Sequence, residues 1–215
     1  MQIRLPPASI WLAPSHDSAQ IEPHSSAMSG ANWHAAHALA KRFPWEDYRT
    51  FADIGAGQGA LCSRIASAHK HLSGGGFDFP DARPGFEQYI ATQSLSHRLQ
   101  FYPGFLLDDP LPPADVLIFG NLLHHWNLDQ KKQLLGKAHR ALTDEGALIV
   151  YGALIDDDRK KSIAGLLNSL SKLLHTRSGF DVAAVECSAW MAEMGFRETS
   201  VQRLTETDFM IVGIK

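Results

Sequence analysis

Residues 49–59 read RTFADIGAGQG, a short apolar strand that ends on Asp53 and runs directly into a glycine-rich turn. Gly55, Gly57 and Gly59 carry no Cβ, so the backbone there can take positive φ and a ligand can lie against the main chain. The helix that follows, predicted over residues 60–68, points its first N–H groups at the same place. In an open α/β sheet this crevice, at the carboxyl ends of the strands, is where ligands bind. The spacing is GxGxG, with Ala60 where the dinucleotide fingerprint has its last glycine, a position that tolerates alanine. Taken alone, the turn fits many nucleotide folds. For Asp53 two roles stand open, bracing the turn and contacting the ligand.

A second acid narrows the choice. The segment HLSGGGFDFPD has a strand-like end that delivers Asp78 roughly 20 residues beyond the glycines, where an acid takes a ribose hydroxyl. A nucleoside cofactor follows from that pairing, the competing role for Asp78 being a solvated turn carboxylate.

The 215 residues, 45% hydrophobic and 20% charged, suit one domain with a substantial core. A net charge of -3 gives no electrostatic reason to expect nucleic acid or an anionic membrane as partner, which leaves a small molecule as substrate. No apolar run reaches the ~20 residues of a membrane span, and the apolar centre of MQIRLPPASIWLAPS is too short for a signal peptide, so the expected compartment is the cytoplasm. Cys62 and Cys187 are far apart and have no CxxC neighbour; they read as buried thiols. The histidine pairs His34/His37, His69/His71 and His124/His125 show no complete ligand set at metal spacing, so no metal is expected. Trp45, Tyr48 and Phe51 read as packing.

Residues 1–24 are proline-rich and aperiodic, an irregular arm; residues 25–215 form the expected domain. Trp33, Ala36, Leu39 and Phe43 fall at helical spacing. Strands are predicted at 50–54, 75–78, 99–102, 115–119 and 147–151. Helices are predicted at 60–68, 85–92, 129–142 and 185–194, with a turn at Asp144, Glu145 and Gly146. Behind Asp156, Asp157 and Asp158 a longer helical pattern covers 163–174, and its pocket face, with Leu167, Asn168 and Ser171, would read the substrate. Segments 198–203 and 209–214, joined by LTETD, read as a closing hairpin. Alternating units of this length predict an α/β fold with a mostly parallel sheet covered by helices on both faces.

In order, the motifs are DIGAGQG, GFDFPDARPGFEQYI and RLQFYPGFLLDDPLPPADVLIFGNLLHHWNLDQKKQLLGKAHRALTDEGALIVYGALIDD. Together with the segments before and after, they closely resemble the catalytic domain of the S-adenosylmethionine-dependent O-methyltransferases that include the caffeate, acetylserotonin and hydroxyneurosporene enzymes. The resemblance implies a Rossmann-like seven-stranded methyltransferase sheet whose last strand is antiparallel. It implies S-adenosylmethionine as cofactor and S-adenosylhomocysteine as product. The acceptor would be a hydroxyl of a small aromatic or polyketide-like molecule. It assigns Gly55 to the methionine end of the cofactor and Asp78 to the ribose. Asp53, Gly57, Leu106 and Gly120 join them, and Trp126 matches the family tryptophan beside the cofactor. The family's catalytic histidine, in LHDW, falls on His124 of LHHW.

Three positions depart from the family pattern. Phe105 replaces an aspartate that contacts adenine; a phenyl ring can stack on the base but cannot accept its amino hydrogens. His125 replaces an aspartate. Gly152 stands where a glutamate holds the catalytic histidine, a role that falls loosely to Asp181, and a Gly152→Glu exchange would restore the carboxylate. These departures keep a second function open, that of a cofactor-binding homologue that has left methyl transfer for a pericyclic or decarboxylative reaction or for the role of partner subunit. A nicotinamide dehydrogenase shares the turn and Asp78 but leaves LHHW and the hairpin unexplained. Family members also begin with a winged-helix domain that forms the dimer and closes the substrate pocket. Only the arm before Ser25 stands there, so the sequence is a fragment, or a homodimer or a partner chain supplies that wall.

Overall fold

The computed structural model describes residues 33–153 and 182–215. The arm before Ser25, the acidic turn 156–158, the helical pattern 163–174 and Asp181 lie outside the described residues. The elements in chain order are α1 (Trp33–Arg42), β1 (Thr50–Ile54), α2 (Ala60–Ala68), β2 (Ser73–Asp78), α3 (Arg83–Thr92), β3 (Leu99–Pro103) and β4 (Ala114–Gly120). There follow α4 (Leu128–Ala141), β5 (Leu142–Gly152), α5 (Ala184–Glu193), β6 (Glu198–Arg203) and β7 (Phe209–Ile214).

The strands form one seven-stranded sheet in the order β3-β2-β1-β4-β5-β7-β6. The first five strands are parallel, and β7 runs antiparallel to both β5 and β6. Because the parallel strands are buried on both faces, they read as continuous apolar runs, DVLIFG and ALIVYG. Successive side chains then separate. Val116, Ile118 and Ile149 join Leu39, Ile65 and Phe86 of α1, α2 and α3 on one face. Leu117, Phe119 and Leu148 join Leu134, Leu135 and Met191 of α4 and α5 on the other. Cys62 and Cys187 are buried as free thiols, one in each layer. Trp45 is fully buried and packs edge-on to Phe43 and Phe51, so the aromatic run is core.

Two long-range devices set the ends of the elements. The Arg98 guanidinium donates to the carbonyls of Ala66, His69, Lys70 and Leu72, closing the C-terminal end of α2. Asn127 and Gln130 exchange side-chain and backbone hydrogen bonds at the start of α4, a capping box that fixes where the helix leaves the preceding turn. One expectation changes here. The predicted turn at Asp144, Glu145 and Gly146 lies inside β5, because β5 begins pairing already at Leu142 with Ala114 and resumes at Ala147 with Val116. The extra residues bulge out, with Glu145 at φ 64 and in an ion pair with Arg197.

Candidate functional site

The glycine turn leaves β1 at the carboxyl edge of the sheet, and Gly55, Gly57 and Gly59 all have positive φ, at 83, 52 and 82 degrees. Asp78 ends the adjacent strand β2. Its Oδ2 accepts the Gly57 N–H at 2.7 Å and its Oδ1 accepts the Phe79 N–H at 2.7 Å. One carboxylate thus ties the turn after β1 to the turn after β2. Beside it opens a small crevice lined by Gly55, Phe77, Asp78, Phe79, Gly104 and Leu106. Of the residues named from the sequence, Gly55, Asp78 and Leu106 line this crevice, and Gly57 and Asp53 neighbour Asp78.

The electrostatics of this corner are those of two buried acids. Burial pushes the Asp53 carboxyl up to about 7, and the neighbouring charge of Asp78 adds to it. Burial likewise raises Asp78, to about 6, against the opposing pull of the Gly57 and Phe79 N–H donors. An unfolded carboxyl titrates near 4, so the folded chain holds protons that the unfolded chain releases. This contribution to stability is complete below about pH 4 and is lost as the pH rises through about 6 and about 7. The melting temperature of the unliganded protein is expected to fall between about pH 4 and pH 7. Asp53→Asn and Asp78→Asn should each flatten that fall, and a slope unaltered in both variants would place its origin in other groups.

One strand over, β4 ends at Gly120, and Asn121, at φ 49, turns the chain into a short 3₁₀ segment, Leu123–His125. The His124 and His125 rings lie 4.1 Å apart between centroids, both partly exposed. Trp126 is buried beneath them, and its indole N–H has no hydrogen-bond partner among the described residues. These residues do not line the crevice beside Asp78. Gly120 makes room for a ring instead: a Cβ there would meet the Tyr151 hydroxyl at 2.5 Å, so its open side is filled from the neighbouring strand.

The model of the O-methyltransferase domain matches residues 7–197. The chain belongs to the O-methyltransferase domain family. It is 35% identical over 189 residues to the tetracenomycin polyketide synthesis 8-O-methyl transferase TcmO of Streptomyces glaucescens, covering 88% of this chain and 56% of that protein. It is 36% identical over 182 residues to the N,N-dimethyltransferase OxyT of Streptomyces rimosus, covering 84% and 53%. The chain thus spans about half the length of the curated relatives it matches. Among solved structures, human N-acetylserotonin methyltransferase in complex with SAM superposes with a TM-score of 0.85 at 23% identity, over 93% of this chain and 56% of that one. PigF with SAH gives a TM-score of 0.86 at 20% identity, over 93% and 60%. At these identities the likeness is one of fold.

Within this family member, one expectation drawn from the family pattern is corrected. Gly152 cannot simply be exchanged for glutamate, because it sits at φ 155 and a Cβ would lie 2.6 Å from the Asn121 side-chain oxygen. The position is closed by the turn that carries the histidines. Two residues of the site escaped sequence reasoning. Phe79 lines the crevice although an aromatic after Asp78 looks like core, and Lys137, from α4, holds the Leu106 carbonyl with its ammonium group. The FDFP run, apolar residues alternating with the acid, was the available signal for Phe79.

Proposed function

We propose that this domain binds S-adenosylmethionine and transfers its methyl group to a phenolic hydroxyl of a small aromatic or polyketide-like molecule, with His124 as general base. The observation that carries the reading is Asp78, a buried acid at the end of β2 that grips the glycine turn and lines a crevice at the carboxyl edge of the sheet. A ribose presents two hydroxyl donors, and a carboxylate has lone pairs left for them after accepting two backbone N–H groups. Asp78 would hold the ribose, while Gly55, Gly57 and Asp53 face the methionine end. The 35% identity to a relative named as a polyketide 8-O-methyl transferase supports the acceptor class.

When bound, S-adenosylmethionine supplies a methyl already electrophilic on its sulfonium. The chain's own work is to align the acceptor and to remove its proton. A phenol near pKa 10 is mostly protonated at neutral pH, and an imidazole with an ordinary pKa near 6.5 is suited to take that proton. The His124 ring stands partly exposed on the turn after β4, beside Trp126 and at the same carboxyl edge as the crevice.

Calorimetric titration with S-adenosylmethionine and S-adenosylhomocysteine tests the cofactor, and a panel of hydroxylated naphthoates and polycyclic phenols tests the acceptor. His124→Ala should leave cofactor binding intact and slow methyl transfer by roughly 10²- to 10⁴-fold. Failure of both nucleosides to bind would overturn the proposal, and an unslowed His124→Ala would remove the base. A second acceptor class follows from the relative named as an N,N-dimethyltransferase, at 36% identity. Methylation of aminated counterparts of these compounds, but not of the hydroxylated compounds themselves, would establish it.

A further inference from the structure

We infer that the outer face of α1 and α2 is a docking surface for an acidic segment of another polypeptide, whose carboxylate enters between Arg64 and His37 while an apolar neighbour covers Trp33. The surface is separate from the crevice beside Asp78, which none of these residues lines.

Its centre is a cation without a counter-charge. Arg64, in the second turn of α2, donates from its guanidinium to Nδ1 of His37 in α1. That contact uses the imidazole lone pair, so His37 is neutral and carries its proton on Nε2. The Arg64 Nε–H is buried and has no acceptor among the described residues. Neither helix supplies an acid, since α1 reads WHAAHALAKR and α2 reads ALCSRIASA. Partial burial, then the charges of Arg64, Lys41 and His34, hold the His37 imidazole below its ordinary range, and no carboxylate is among the groups that act on it. A buried charged donor left unpaired is costly, and an oxyanion is the group that completes it.

Trp33 supplies the apolar part. It opens α1 and is 49% exposed, in a fold that buries most of its large apolar side chains. The Arg64 guanidinium lies over its ring at 5.6 Å from the centroid. Trp33 and His37 are four residues apart and share one face of α1, with Lys41 one turn further on. Trp33, His34 and Lys41 are all exposed, so the face is open and would leave a small anion in solvent. A tryptophan and an arginine side by side on such a face are the residue types on which protein–protein contacts concentrate their energy. A chain of net charge -3 that gathers uncompensated cations here offers the face to an acidic partner.

The test uses the full chain and a capped peptide of alternating glutamate and leucine, followed by NMR at the Trp33 indole N–H and the His37 ring. The peptide is expected to shift both signals and to raise the pKa of His37, because a carboxylate beside the imidazole favours its charged form. Binding should therefore tighten as the pH falls from about 7 to about 5. Arg64→Gln and Trp33→Ala should each weaken it by roughly 10-fold or more, with the affinity for S-adenosylhomocysteine within about threefold of the parent. Equal binding of the same peptide with glutamine in place of glutamate would overturn the inference, as would an unmoved His37 pKa. Acetate that reproduces both shifts at the same concentration would reduce the face to a small-anion site. Self-association of the parent chain that Arg64→Gln abolishes in sedimentation would assign the face to a second copy instead of a separate partner.

Discussion

Gly75→Ala is expected to be strongly destabilised. The residue sits in the middle of β2, flanked by β1 and β3 in register with Ala52 and Gln100, and a Cβ on it would lie 1.8 Å from the Gln100 carbonyl oxygen. That atom belongs to a strand backbone that cannot step aside without breaking the β2–β3 ladder. Overpacking of a core typically costs about 1–3 kcal/mol, and here the obstacle is main chain, so a loss of about 3 kcal/mol or more is expected. Against a net stability of roughly 5–15 kcal/mol, that should appear as a large drop in the urea midpoint and in soluble yield. Gly85→Ala is the control: it lies in the first turn of α3 with its nearest neighbour, the Gln58 side chain, 3.8 Å away. Alanine there should be neutral or stabilise by up to about 1 kcal/mol. Equal midpoints for the two variants would refute the close approach.

Asp78→Asn should weaken binding of S-adenosylhomocysteine by about 100-fold or more. Both carboxylate oxygens accept a backbone N–H, from Gly57 on one side and Phe79 on the other. An asparagine side chain has one acceptor, so either orientation sets its NH₂ group against an N–H donor. One of the two turns must let go, and the ribose loses a charged acceptor as well. Circular dichroism at about pH 7 should show a folded variant, since the uncharged amide also removes a buried acid. Binding within about threefold of the parent would mean that Asp78 braces the turn without touching the ligand.

The parts of this fold legible in the sequence are those whose cause is local. Strands β1 and β7 and helix α2 have the predicted limits, since an apolar run or a helical stripe bounded by turn residues carries its own boundary, and β6 has them because the LTETD turn joins it to β7. Strand β2 begins two residues earlier than predicted, at Ser73, because SGGG has little strand preference of its own and is held by β1 and β3 on either side. The start of β5 was hidden for a similar reason. Thr143 bonds to Asp115 and Glu145 pairs with Arg197, partners far away in the chain that extend what looks locally like a turn.

The site divides in the same way. Gly55, Gly57 and Asp78 were legible because a turn at positive φ and the acid that braces it are set by residue type and spacing. The rigid placement of Phe105 by Asp109, and the closure of Gly152 by Asn121, depend on contacts that appear only when the loops at the carboxyl edge are folded against one another.

The position of β7 bears on how the molecule is made. Although β7 follows β6 in the chain, it lies between β5 and β6, so β6 touches the sheet only through it. A ribosome releases the chain from the N-terminal end, so β6 leaves it before the strand that β6 must pair with. Until β7 arrives, β5 presents an open edge to solvent and to other nascent chains, with Leu148, Ile149 and Val150 beside it. The strand that closes that edge is made after every other strand of the sheet, so the interval between the emergence of β5 and that of β7 is when this domain is most exposed to aggregation and to chaperones.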